Sequence, residues 1–194
     1  IFVGKVAIRS ASLDEDNEKF SNAGKYQSIL NIEINSKKDV SKSIDNVINS
    51  YGKKNYLSNY VLIQKFIKNV NLSGVAFTKD LISGGPYIVI NYDDQSGKTD
   101  TITSGNSSFA NKVLYVHENY LSDIKSERFK KILIAINSIR SKLKSNYLDI
   151  EFCLDNKFNV LIFQARKLNC SRKVNNYLIN QSILKGKRKL SNLF

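Results

Sequence analysis

The sequence predicts an α+β fold, on three observations. Short runs of strand length and apolar or alternating character recur near 3–9, 26–33, 60–68, 73–79, 86–92, 112–117, 147–154 and 158–166. Two other stretches, about 37–51 and 122–145, space their apolar residues with the helical period. Late in the chain, the runs 147–154 and 158–166 flank Asp155-Asn156-Lys157, a polar turn signal that makes them an antiparallel hairpin.

Taken in order, the first strand, Val6-Ala7-Ile8, delivers Arg9 into a run rich in serine and acids at 10–16. An arginine at a strand end offers an always-charged fork that fits a phosphate. Backbone N–H groups of the serine-rich stretch and of Gly24 can face the same anion. Arginine beside serine and aspartate is equally a common surface turn closed by a local salt bridge. The second strand follows Gly24 and carries Ser28. Ser36 then caps a helix whose stripe, Val40, Ile44, Val47, Ile48 and Tyr51, belongs to the core, and Gly52 stops it. A boundary between subdomains is expected at 53–59, just before the strand that contains Gln64.

Further on, Ser96-Gly97-Lys98-Thr99 looks like the end of a phosphate-binding P-loop. It lacks the upstream glycine at the required spacing, and no helical pattern follows, so that reading is set aside. The single histidine, His117, closes an apolar strand pattern and is read as a structural strand-end residue. The second helix turns Phe129, Ile132, Leu133, Ile136, Ile139 and Leu143 to the core. In the closing hairpin, Asp149 and Glu151 share one strand face while Ile150, Phe152 and Leu154 share the other, and Gln164 and Arg166 also share a face. Pairing brings two carboxylates, an amide oxygen and a guanidinium together, a set suited to a Mg²⁺-bound polyphosphate. The same alternation is also the ordinary outer face of a half-buried antiparallel sheet. A four-residue loop at 155–158 would set Asp149 opposite Gln164, with Glu151 diagonal to it. A last helix is expected near 172–184, and the basic run 185–189 is read as a link to a next domain.

Composition narrows the function classes. With 194 residues, 42% of them hydrophobic, the chain can build a domain or two small subdomains with a real core. One proline and few glycines argue against internal linkers. No apolar run approaches the ~20 residues of a membrane helix, and no signal-peptide layout is present. Cys153 and Cys170 are too few for a disulfide framework and suit reduced thiols, so a cytoplasmic location is expected. The net charge of +13 suggests a nucleic-acid partner, but the excess is lysine spread along the chain rather than gathered into a footprint. Nucleic acid is therefore disfavoured as a partner.

Four ordered motifs then carry a resemblance. They are Arg-Ser-Ala-Ser-Leu-Asp-Glu-Asp at 9–16 with Phe-Ser-Asn-Ala-Gly-Lys and Ile-Leu-Asn at 20–25 and 29–31, the strand Val-Leu-Ile-Gln-Lys-Phe-Ile at 61–67, Ser-Gly-Val-Ala-Phe-Thr at 73–78, and Asp-Ile-Glu-Phe with Gln-Ala-Arg-Lys at 149–152 and 164–167. Together they span most of the chain. The chain resembles the ATP-grasp nucleotide-binding region of the phosphoenolpyruvate synthase and pyruvate phosphate dikinase family, which includes rifampin phosphotransferases and glucan water dikinases.

The resemblance implies an ATP-grasp-like α+β fold with mostly antiparallel sheets, a few packed helices and a partial first subdomain. Residues 1–58 would be part of that first subdomain. Residues 59–170 would be the second, with hinge strand and closing hairpin, and 171–194 a tail leading to another domain. ATP and Mg²⁺ are the implied cofactors, bound in a cleft between subdomains. Arg9 would contact phosphates, Gly24 and Ser28 would line the nucleotide site, and Gln64 would sit in the hinge beside adenine. Glu151 and Gln164 would hold Mg²⁺ or nucleotide, with Asp149 beside them as a third metal candidate, and Arg166 would be a further phosphate contact. Arg9 and Arg166 are the groups expected to act on the transferring phosphoryl. The family's Gly-Leu-Gly-Glu segment has only Gly97-Lys98-Thr99-Asp100 as its counterpart here, which makes Asp100 a substitute one methylene shorter. The family's upstream phosphate-binding lysine has no counterpart ahead of Arg9, and neither a carrier-histidine signature nor an acceptor domain is seen. The expectation is a domain of a dikinase-type phosphotransferase that passes phosphoryl to a histidine elsewhere, in a fragment not active alone. The alternatives are a degenerate ATP-grasp-like scaffold and a basic nucleic-acid-binding domain.

Overall fold

A computed structural model describes residues 3–12, 26–52, 59–68, 70–99 and 112–168. The chain divides into two compact units, Ile1–Asn69 and Val70–Phe194.

In the first unit an antiparallel sheet has the order β2-β1-β3, formed by β1 (Lys5–Ser12), β2 (Ser28–Glu33) and β3 (Asn59–Lys65). The helix α1 (Lys37–Ser50) starts at Ser36, whose hydroxyl accepts the Asp39 N–H at 3.4 Å. Its stripe packs Val47 and Tyr51 on Val6 and Ile8, which are fully buried. Alternation along β1 therefore leaves Ala7 and Arg9 on the face away from the helix. The Tyr51 hydroxyl donates to the Tyr60 carbonyl at 2.5 Å and accepts the Ala11 N–H at 3.0 Å, tying the helix end to β1 and β3. Opposite Ala7, β2 bulges: Ile8 faces Ile29 and Val6 faces Ile32, with Asn31 at φ 66°. Asparagine tolerates this left-handed conformation, which places an extra residue without breaking the ladder.

The sequence reading sets a boundary at 53–59 and assigns the Gln64 strand to the later subdomain. In the structure β3 pairs with β1 from Val6–Lys65 to Ser12–Asn59, and the units divide between Asn69 and Val70.

The second unit is a five-stranded antiparallel sheet of order β6-β5-β4-β7-β8. Its strands are β4 (Leu72–Phe77), β5 (Tyr87–Asp93), β6 (Lys112–His117), β7 (Leu148–Leu154) and β8 (Val160–Lys167). The helix α2 (Glu127–Leu143) covers one face, where Phe129, Ile132, Leu133 and Ile136 pack with Leu72, Ala76, Ile88, Ile90, Ile150 and Phe152. The helix begins later than the periodicity predicts. A 3-10 segment, Glu118–Asp123, precedes it, and the extended Ile124 separates the two. The αL conformation of Lys144, φ 47°, ends α2. Gly74 is fixed by close approach of strands: a Cβ there would lie 2.3 Å from the Asn91 carbonyl oxygen.

The hairpin register differs from the expected one. Asp149 faces Arg166 and Glu151 faces Gln164, instead of Asp149 facing Gln164. Two one-residue shifts produce the change. The turn occupies 155–159, with Phe158 at φ 61° and the Asp155 carboxylate accepting the Lys157 and Asn159 N–H groups, both at 2.8 Å. A bulge then separates the Glu151–Gln164 and Phe152–Ile162 pairs. Because the two shifts add to an even number, the polar residues stay on one face.

Candidate functional site

The sequence-predicted residues within the described regions fall into two groups, one on each sheet, and both groups lie on the face that the helix leaves uncovered. On the first sheet Arg9 stands directly opposite Ser28, and Gln64 stands opposite Ala7, diagonal to Arg9. All three therefore share a face, and β3 forms one edge of that sheet. Gly24 and Asp100 lie outside the described residues, as do the acidic run after Ser12 and the tail from 169 onward.

On the second sheet the row Val89, Phe77, Asp149, Arg166 crosses four strands, and the next row is Asn91, Val75, Glu151, Gln164. Directly paired residues sit about 5 Å apart at Cβ, so the four polar side chains of β7 and β8 form one compact patch. Within it Arg166 Nη2 donates to Asp149 Oδ2 at 2.6 Å, and the two side chains are only 12% and 10% exposed. This is a short, charge-assisted bond in a poorly hydrated setting, where it strengthens. The two carboxylates and one guanidinium leave a net charge of −1 on the patch (−2 + 1). Glu151 stands directly opposite Gln164 on one side and Val75 on the other.

Whether these residues fit a divalent ion follows from their donors. Among the described residues no three His, Cys, Asp or Glu side chains cluster as a metal cage. A cage is not what Mg²⁺ requires, since it keeps several waters and commonly takes one or two protein oxygens together with substrate phosphates. Glu151 and Gln164 provide two oxygen donors on neighbouring strands, which fits that partial ligand set.

The neighbouring groups are structural. Cys153 lies on the same face of β7, is fully buried, and has its thiol pushed up to about 12 by burial and by the charge of Asp155. It is therefore no nucleophile at neutral pH. His117 ends β6 as expected, its Nδ1 accepting the Asn119 N–H at 3.1 Å while its ring meets Tyr87 edge-on at 5.1 Å. The string Ser96-Gly97-Lys98-Thr99 lies in a turn organised by Asp93, whose Oδ1 accepts the Gln95 and Ser96 N–H groups at 2.8 and 3.0 Å.

Sequence reasoning missed the network that anchors the start of β7. The fully buried Thr78 hydroxyl donates to the Asn146 carbonyl at 2.8 Å and accepts the Leu148 N–H at 2.7 Å. Around it Glu118 bonds Lys79 at 2.9 Å and Arg140 at 2.8 Å, and Arg140 also reaches the Asn146 amide at 3.0 Å. Burial pushes the Glu118 carboxyl up, but the hydrogen bond and charge of Lys79, with Arg140, outweigh it and hold the group below the ordinary glutamate value. Thr78 could have been found as the last residue of the Ser-Gly-Val-Ala-Phe-Thr motif. The ion network carried no local signal, because its members are far apart in sequence.

Comparison with known proteins adds one finding. The profile of the family described as pyruvate phosphate dikinase, AMP/ATP-binding domain, matches residues 3–104, which is 102 of the 194 residues. Arg9, Gly24, Ser28 and Gln64 lie within the matched region, and the hairpin patch from Asp149 to Arg166 lies beyond it. No curated protein matches the chain.

Proposed function

Since the chain belongs to the pyruvate phosphate dikinase AMP/ATP-binding domain family, we propose that it binds Mg-ATP and serves a phosphotransferase that hands a phosphoryl group to a histidine on another domain. The observation that carries this reading is the in-register patch Asp149, Glu151, Gln164 and Arg166, which gathers metal-type oxygens and a phosphate-type fork on one sheet face. Arg9 opposite Ser28 would supply a second fork-and-hydroxyl pair for phosphate oxygens, and Gln64, opposite Ala7 on β3, would contact adenine. Glu151 and Gln164 would hold Mg²⁺, whose charge offsets that of the polyphosphate. Arg166 and Arg9 would then bind and orient phosphate oxygens. Positioning and charge neutralisation are most of what phosphoryl transfer asks of a protein.

Calorimetric titration with Mg-ATP tests the residue roles. Glu151→Ala and Arg166→Ala should each weaken binding at least tenfold, the scale expected when a charge-assisted contact is lost. Unchanged affinity in both variants would contradict the assignment. The chain by itself should yield no phosphorylated product from ATP and pyruvate, and detection of such a product would refute the dependence on another domain.

A further inference from the structure

We propose that Asp149 is a positioning residue for Arg166 and not a metal ligand, an assignment that rests on the nucleotide reading above. Arg166 lies next to the last residue of β8, which forms an edge of its sheet. A long side chain there would sample many rotamers, and ordering it on ligand binding would cost conformational entropy. Asp149 removes that freedom beforehand. It stands directly opposite on the inner strand β7, only 8% exposed, with Oδ2 2.6 Å from Arg166 Nη2. Its own place is fixed one residue away, where Leu148 is locked to Thr78 by the backbone bond to the Leu148 carbonyl at 2.9 Å and the hydroxyl bond to the Leu148 N–H at 2.7 Å.

The geometry leaves the arginine's other donors for a ligand. A guanidinium carries five N–H groups in a planar fork, so a carboxylate bonded through Nη2 orients the plane and leaves further donors for phosphate oxygens. A carboxylate already bonded to a guanidinium is a poor additional Mg²⁺ ligand, because the arginine neutralises its charge. Glu151, in the adjacent row, stands between the neutral Gln164 and Val75 across the ladder and is the acid that the nucleotide reading assigns to the ion. The two acids of Asp-Ile-Glu thus divide the work, one holding an arginine and the other a metal.

A double-mutant cycle on the full chain, read by Mg-ATP calorimetry and by Mg²⁺ titration at fixed ATP, tests this division. Asp149→Asn should lower ATP affinity about tenfold or more, the scale of loss when an outer partner of a ligand-holding group is removed. That loss should vanish when Arg166 is already Gln, and the Mg²⁺ concentration at half-saturation should not move, whereas Glu151→Gln should raise it. Additive losses, or a raised Mg²⁺ requirement in Asp149→Asn, would overturn the assignment. If Asp149→Asn fails to fold by circular dichroism, Asp149→Glu keeps the charge but displaces the guanidinium, and the same non-additivity with Arg166→Gln is expected. Wild-type binding with additive losses removes this assignment alone. Absence of any wild-type nucleotide binding removes the nucleotide reading and this assignment together.

Discussion

At the residue scale, the burial of single side chains sets two chemical behaviours that can be measured apart from any ligand. The Cys153 thiol, pushed up to about 12, stays protonated at neutral and mildly alkaline pH. In a Cys170→Ser background the native chain should therefore resist a thiol-disulfide reagent and react only after denaturant is added, with rapid labelling of the native chain as the contrary result. Glu118 behaves in the opposite sense. Its folded-state pKa is lowered, so its stabilising effect is complete above the ordinary value of 4.5 and is lost as pH falls through the lower folded value. Thermal midpoints measured across that acidic window should fall in the wild type and fall less steeply in Glu118→Gln. Parallel curves would show that the Lys79 and Arg140 bonds contribute nothing to the acid limb.

At the element scale, the strand Leu72–Phe77 and the hairpin that follows α2 bear most of the structural specificity. Gly74 admits no side chain because the Asn91 carbonyl, a backbone atom, stands 2.3 Å from where a Cβ would be. Gly74→Ala should destabilise the fold by about 1–3 kcal/mol or more by overpacking, read as a lower urea midpoint with an unchanged slope. Thr78→Val is nearly isosteric, yet it leaves the Leu148 N–H and Asn146 carbonyl without the hydroxyl, a change of about 1–3 kcal/mol by the same measurement. A loss below a few tenths of a kcal/mol in either variant would contradict these local accounts.

How much of this was legible in sequence depended on whether the signal was local. Among the described residues, both α-helices and all eight strands follow from periodicity, because alternation and the helical stripe are what burial on one face requires. The caps at Ser36 and Gly52 were equally visible. The hairpin register was not: it depends on Phe158 adopting positive φ and on a bulge between Ile162 and Gln164, and neither leaves a compositional mark. The candidate patch was legible as a set of faces, since two compensating shifts preserve the face, while the pairing of Asp149 with Arg166 needed the register itself. The late start of α2 likewise reflects the 3-10 segment over Glu118–Asp123 and the extended Ile124, which interrupt the helix where the predicted stretch begins.

At the scale of the whole molecule, each unit presents one helix-covered face and one face bearing candidate site residues. Among the described residues no helix is long and apolar enough to cross a membrane. The net charge of +13 attracts polyanions of any kind, so affinity for a phosphate-rich ligand is informative only when it depends on named residues. Binding to RNA or DNA that weakens steeply with salt and is untouched by Glu151→Ala or Arg166→Ala would mark a basic surface and not the patch. The most direct test of the central claim is a calorimetric titration of the wild-type chain with ATP at moderate salt, with and without Mg²⁺. A single saturable site that needs Mg²⁺ is the predicted result, and the absence of saturable binding in the presence of Mg²⁺ would contradict it.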